Sequence, residues 1–153
     1  MSRRKTLADV TALARPLCLG PDTPAAAASK AMMEHDTGAV AVTENGRLVG
    51  IVTERDIAFR LVAVGGDPRE TPLRAIMTDR PDTLAGDADV REALDVMQAN
   101  GYRHVPVTEQ GRVIGIISVR DLFNEVRRDL LADIQVRHEY MFGSGYSVPA
   151  VLH

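Results

Sequence analysis

The chain has 153 residues, of which 45% are hydrophobic and 25% charged, with no Trp and only 4% aromatic side chains. A chain of this length buries about 70% of the surface its unfolded form exposes, so a single aliphatic core of Val, Ile, Leu, Ala and Met is expected. The net charge of −3, from 18 basic and 21 acidic residues, offers no basic face for nucleic acid, and no stretch approaches the roughly 20 apolar residues of a membrane span. Cys18 is the only cysteine, which excludes an internal disulfide and a zinc-spaced pair and points to a reducing, cytoplasmic setting. Arg3, Arg4 and Lys5 read as a solvated start, and Asp9 and Arg15 interrupt any signal-peptide pattern.

Thr6 and Asp9 have the spacing of a helix start, with Leu7, Val10 and Leu13 as its apolar stripe and Pro16 as its stop. Leu17 to Leu19 is long enough for a brief strand. Gly20 to Pro24 is turn chemistry leading into an Ala-rich helix over 25–34. Ala39 to Val42 is an apolar run suited to a buried strand. Asn45-Gly46 predicts a tight turn, with Leu48 to Val52 as the return strand. Thr53 then opens a helix to about Val64, which Gly65-Gly66-Asp67-Pro68 ends.

The pattern repeats. Thr71 to Met77 reads as a second lead-in helix, Asp82 to Ala85 as a strand and Asp89 to Ala99 as a helix. His104 to Thr108 and Val113 to Ile117 form a hairpin about Gln110-Gly111, and a long helix runs from Ser118 to about Gln135. Gly50-Ile51-Val52-Thr53-Glu54-Arg55-Asp56 returns 65 positions later as Gly115-Ile116-Ile117-Ser118-Val119-Arg120-Asp121, and the alignment needs no gap from Pro21 to Ala58. That period is too long for a solenoid unit of about 20–50 residues. The expectation is an α/β (α+β) fold of two β-α-β-β-α repeats packed about a pseudo-twofold axis. The first repeat with its lead-in helix occupies 6–70, the second 71–136 and a tail 137–153, where Gly143-Ser144-Gly145 suggests flexibility.

The repeated stretch carries the candidate chemistry. Thr53 and Ser118 stand where a helix begins, and free N–H groups there attract anions. Asp56 and Asp121 lie a turn further in, where a carboxylate accepts from ribose hydroxyls as in dinucleotide-binding folds. Gly50 and Gly115 permit close approach of something flat, and Val40, Val42, Val105 and Val107 could wall a slot for a purine. Ser/Thr-x-x-Asp is equally a capping box that implies no ligand, and one residue can serve both ends. The histidines have no metal spacing, His138-Glu139-Tyr140 does not complete a zinc motif, and Gly143 to Val148 fails the dinucleotide fingerprint. No base stands near a nucleophile, so neither a catalytic residue nor a metal site is expected.

Two copies of Gly-x-x-Thr/Ser-x-x-Asp in register, with Tyr102-Arg103-His104-Val105-Pro106-Val107 before the second hairpin, resemble paired cystathionine-β-synthase (CBS) domains. This regulatory unit is called a Bateman module, and the resemblance covers roughly 6–135. It implies clefts between the repeats that bind an adenosine-containing ligand (AMP, ADP, ATP, S-adenosylmethionine or NAD, with AMP or ATP foremost) as a regulatory ligand rather than a catalytic cofactor. It also implies a homodimer that signals by rearrangement, with an effector protein as a further partner and no output domain within the chain. By position, Asp56 and Asp121 would hold ribose. Thr53, Ser118, Arg103, Arg55 and Arg120 would hold phosphate. Cys18, Leu19, Val40, Thr83, Leu84, Tyr102, His104, Val105 and Pro106 would meet the base through side chain or backbone. The first repeat has Gly38-Ala39 where the second has Arg103-His104, which predicts that the Ser118/Asp121 site prefers phosphorylated ligands and the Thr53/Asp56 site is weaker. The rival reading is a dimerisation or scaffold module with vestigial clefts.

Overall fold

Asn45 and Gly46 take φ of 52° and 78°, and Gln110 and Gly111 take 52° and 77°, the left-handed pair that a two-residue hairpin turn requires. In a computed structural model, which describes residues 4–12 and 14–143, these turns close the two hairpins that build most of the sheet. Arg3, Leu13 and the Ser144–His153 part of the expected tail, with its fingerprint-like stretch, lie outside the described residues.

The first hairpin joins β2 (Ala39–Glu44) to β3 (Arg47–Thr53), and the second joins β6 (His104–Glu109) to β7 (Arg112–Ser118). Both slip register at the same repeat position, between Val42 and Thr43 and between Val107 and Thr108. The short strands β1 (Cys18–Leu19) and β5 (Leu84–Ala85) add in parallel to β2 and β6. The sheet has seven strands in the order β1-β2-β3-β7-β6-β5, with β4 (Thr78–Asp79) on β3. Its two halves meet through one antiparallel pair, Arg47 with Arg112, and a bond from Leu48 N–H to the Gly111 carbonyl at 3.4 Å.

Helix α2 (Ala25–Glu34) covers the first half and α5 (Val90–Asn100) the second, each with its small and apolar residues turned inward. One core gathers Ala28, Met32, Val40, Val42, Val52 and Leu61. The other gathers Ala93, Met97, Val105, Val107, Ile117 and Leu122. The lead-in helices cross over. Helix α1 (Leu7–Thr11) places Leu7 in the second core, where Leu7 N–H donates to the Ala88 carbonyl at 3.0 Å and Ala8 N–H to that of Gly86 at 2.8 Å. Helix α4 (Leu73–Ile76) places Leu73 and Ile76 in the first core, where Leu73 N–H donates to Thr23 and Arg74 N–H to Pro21, both at 3.0 Å. Lys5 adds an ion pair at 2.7 Å to the buried Glu125, which Arg128 also meets at 2.9 Å.

Several elements differ from the sequence reading. The helix after Thr53 is α3 (Glu54–Asp56) followed by a π-helical stretch, Ile57–Val62. That wider winding sets Leu61 into the core and lets Arg60 donate to the Ile76 and Met77 carbonyls at 3.1 and 3.0 Å. The lead-in helix expected over Thr71 to Met77 shortens to α4 because Pro72 is its extended N-cap. The strand expected from Asp82 starts at Leu84, since Asp82 accepts the Tyr102 hydroxyl instead of joining the ladder. Helix α6 (Val119–Phe142) runs past Gln135 and ends at the first glycine, Gly143, whose φ is 74°. No helix among the described residues is long and apolar enough to cross a membrane.

Candidate functional site

Each repeat ends on a β-strand that turns into a helix, and both corners are capping boxes. At the first, Thr53 N–H and Oγ1 donate to Asp56 Oδ2 at 2.8 and 3.1 Å, and Asp56 N–H returns to Thr53 Oγ1 at 3.4 Å. The other oxygen, Asp56 Oδ1, lies 3.6 Å from Arg60 Nε. At the second corner, Ser118 N–H donates to Asp121 Oδ2 at 2.9 Å and Asp121 N–H to Ser118 Oγ at 3.1 Å. Asp121 Oδ1 has no protein partner among the described residues. The two carboxylates therefore differ: Asp56 is engaged on both oxygens, Asp121 on one.

The corners pair crosswise with the opposite repeat. Thr53, Arg55 and Asp56 share a cleft of about 200 Å³ with Tyr102, Arg103, His104, Val105 and Pro106 of the second repeat. Ser118, Arg120 and Asp121 share a wider cleft, about 940 Å³, with Asp36, Thr37 and Gly38 of the first repeat. Arg103, His104 and Glu54 line both. The expectation that Arg103 serves the Ser118/Asp121 corner alone is thus corrected: the chain enters β6 beside the junction of the two corners, so Arg103, just before the strand, and His104, its first residue, line each cleft.

Other expected residues lie elsewhere. Val40 is fully buried in the first core and presents nothing to either cleft. Cys18 and Leu19 sit on β1 at the sheet edge, and Leu19 packs on the first core. Leu84 packs on the second core, and Thr83 precedes the strand. None of these four lines either cleft. Gly50 and Gly115 do admit a close neighbour, but it is protein. A methyl group at Gly50 would lie 2.4 Å from Met77 Sδ, and one at Gly115 would lie 2.4 Å from Thr11 Cβ. The lead-in segments, not a flat ligand, occupy that space.

The residues that sequence reasoning missed are Glu54, Thr78, Asp82 and the Asp36-Thr37-Gly38 turn. Gly38 aligns with Arg103 across the repeat, which was a usable signal. Its bare Cα is covered by Glu54, whose Oε2 would lie 2.3 Å from an added methyl. The second repeat carries Val119 at the place of Glu54, so only one of the two corners brings an acid into the shared wall.

Electrostatics follow from this packing. Burial pushes the His104 imidazole below its ordinary pKa, and the positive charge of Arg103 adds to that, while Glu54 and Asp121 pull the other way. A neutral His104 at neutral pH follows. The Tyr102 hydroxyl donates to Asp82, and that bond, with burial and the carboxylate charge, raises the phenol above its usual range. Arg55 lies over the Phe59 ring at 5.1 Å from its centroid, which draws its guanidinium along the helix. The Arg103 carbonyl accepts from Val119 N–H at 3.0 Å, while the guanidinium groups of Arg103 and Arg120 have no hydrogen-bond or ion-pair partner among the described residues. The only cysteine, Cys18, has its thiol pKa raised by partial burial. No group of His, Cys, Asp and Glu among the described residues could hold a metal ion.

A duplicated α/β unit with exchanged lead-in helices and clefts at the seam defines a tandem-repeat module. The family model for the CBS domain matches twice, over residues 7–63 and 73–128, and the chain belongs to this family as a CBS domain pair. A 17.7 kDa protein of Acidianus ambivalens is 38% identical over 104 residues, 67% of this chain and 62% of that protein. The chain thus spans less than two thirds of that relative. A solved CBS domain protein of Pyrobaculum aerophilum, in complex with AMP, superposes with a TM-score of 0.68 at 27% identity, covering 76% of this chain and 88% of that one. A CBS domain pair solved with 5′-methylthioadenosine and S-adenosyl-L-methionine reaches a TM-score of 0.74 over 83% of this chain and 99% of that one; at 23% identity the likeness concerns the fold.

Proposed function

We propose that the chain is a non-catalytic regulatory module that binds an adenosine-containing ligand at the seam of its repeats, with the Ser118/Asp121 cleft as the principal site. The observation that carries this reading is the free oxygen of Asp121. One oxygen holds the helix cap and the other faces a cleft of about 940 Å³, a size within the roughly 300–1,000 Å³ of small-molecule sites. A ribose would donate to Asp121. A phosphate would meet the free guanidinium groups of Arg103 and Arg120 and the Arg120 N–H in the first turn of the 24-residue α6, since Val119 N–H donates to the Arg103 carbonyl and Asp121 N–H to Ser118 Oγ. The AMP complex of the Pyrobaculum aerophilum relative supports the ligand class. The Thr53/Asp56 cleft is smaller and its carboxylate is engaged with Arg60, which makes it the weaker site.

Melts of the protein with and without AMP, ATP, NAD and S-adenosylmethionine test the reading. A ligand stabilises by RT ln(1 + [L]/Kd), about 2.7 kcal/mol at a hundredfold excess over Kd. An upward shift with one of the four is expected; no shift with any at millimolar concentration refutes the sensor and leaves the scaffold reading.

Dimerisation belongs to the same proposal. On α6, Phe123, Leu130, Ile134 and Met141 are exposed by 61%, 54%, 56% and 72% and recur on one face at helical spacing. An exposed apolar stripe of this kind, bordered by Arg127 and Arg137 on the same helix, fits an interaction surface with a polar rim, and a second copy of the chain in a cytoplasmic setting is the occupant proposed. Sedimentation of Leu130→Glu/Ile134→Glu should show a monomer where the unsubstituted chain shows a dimer. An unchanged mass would remove this surface from the proposal. Any signal would leave through that surface or through an effector protein.

A further inference from the structure

Arg103 immediately precedes β6, its guanidinium has no hydrogen-bond or ion-pair partner among the described residues, and it lines both clefts. His104 beside it, also common to both, is held neutral by burial and supplies no second shared cation. Glu54, the third shared residue, is an acid. Each cleft has one arginine of its own: Arg55 in the first, tethered over Phe59, and Arg120 in the second. Two phosphorylated ligands would therefore draw on a single shared guanidinium, across a wall that also carries a negative charge.

We infer that Arg103 couples the two clefts, so that a phosphate bound at one weakens the binding of a phosphate at the other. The inference rests on the proposed nucleotide site and adds how its two halves regulate each other. A monoester phosphate brings nearly two negative charges at neutral pH. The first to arrive recruits Arg103 and leaves the second cleft with its own arginine facing Glu54 and a like-charged neighbour. The penalty is reciprocal, since coupling free energies have no direction. A ligand without phosphate has no claim on Arg103 and fills either cleft independently. The chain would then respond to the first anionic nucleotide over one concentration range and resist the second over a much higher one.

Calorimetry of the full chain tests this with AMP and with adenosine. Each cleft is blocked in turn by Ile116→Trp, which fills the second cleft, or Thr78→Trp, which fills the first; both leave the caps intact. Should either tryptophan variant fail to fold, Asn124→Trp in the second cleft and Pro81→Trp in the first block the same space from other lining positions. The product of the two wild-type AMP dissociation constants is compared with the product of the two single-cleft constants. Coupling makes the wild-type product larger by at least about 5-fold, the lower end of ordinary allosteric couplings. Binding of one AMP per wild-type chain, with each blocked variant still binding one, is the strong form of the same result. With adenosine, or in the Arg103→Ala background, the two products should agree. Equal products for AMP with Arg103 in place, or one cleft that never binds AMP, overturn the coupling and leave the nucleotide site standing. Absence of binding by both AMP and adenosine overturns that site as well.

Discussion

Asp121 is the residue at which cap and ligand can be separated. In Asp121→Ala the helix loses the bond from Ser118 N–H to Oδ2, which is 2.9 Å long, and a negative charge in the first turn of α6. The bond is worth about 1 kcal/mol and the charge about 0.3–1 kcal/mol, so the loss is between about 1 and 2 kcal/mol. For a chain of this size each kcal/mol lowers Tm by about 2–4 °C. The ligand's loss is of similar size. A hydrogen bond from ribose to a carboxylate is worth about 1.5–3 kcal/mol, which at 1.4 kcal/mol per decade is a loss of roughly 10- to 150-fold in affinity. Asp121 is exposed, which favours the lower end. Asp121→Asn keeps an acceptor for the cap, so it should recover most of Tm while still binding AMP about tenfold more weakly. Thermal melts and calorimetry on the same samples read both quantities. A fall in Tm for Asp121→Ala with AMP affinity unchanged would refute the ribose role and leave a helix cap. Asp56→Ala, in which Arg60 also loses its carboxylate partner and keeps only its bonds to the Ile76 and Met77 carbonyls, should lower Tm with little effect on the tight AMP step.

Gly115→Ala sets a methyl group 2.4 Å from Thr11 Cβ, a clash the rotamers of Thr11 cannot relieve, and should cost about 1–3 kcal/mol. Hydrogen exchange would show α1 losing protection first, and unaltered protection there would contradict the packing described. Leu122→Ala removes a fully buried side chain from the second core and should cost about 2–5 kcal/mol in urea unfolding. A loss under about 0.5 kcal/mol would be incompatible with that burial. The lowered pKa of His104 means the unfolded chain binds its proton more readily. The contribution is intact above the ordinary value of about 6.5 and is lost as pH falls through that value to the lower folded pKa. His104→Gln should therefore narrow the gap between melts at pH 7.5 and 5.5; an equal gap would show that His104 does not drive it.

The repeat was legible because its signals are local. Asn45-Gly46 and Gln110-Gly111 demand turns, and apolar runs on either side of each demand strands. Thr53 and Ser118 with their carboxylates announce caps, all of which the backbone carries. What the sequence concealed depends on which segment meets which across the seam. Val40 and Val105 occupy equivalent positions, yet Val40 faces only the core while Val105 also borders the first cleft. Gly50 and Gly115 advertise a close neighbour without saying whether it is ligand or chain. Arg103 could be recognised as a basic residue without a counterpart, but its position between both clefts follows from the crosswise docking of the halves. The π-helical turn at Ile57–Val62 has no periodic signature strong enough to distinguish it from an α-helix, because its purpose is tertiary: bringing Arg60 to the end of α4.

The exchange of α1 and α4 between the cores makes the two halves interlocking rather than merely adjacent. A nick in the 63–72 connection would leave two fragments still clasped together, because each piece roofs the other's interior. Expressed separately, neither piece would have a complete lid, and each would leave apolar surface uncovered until the missing partner was supplied in trans.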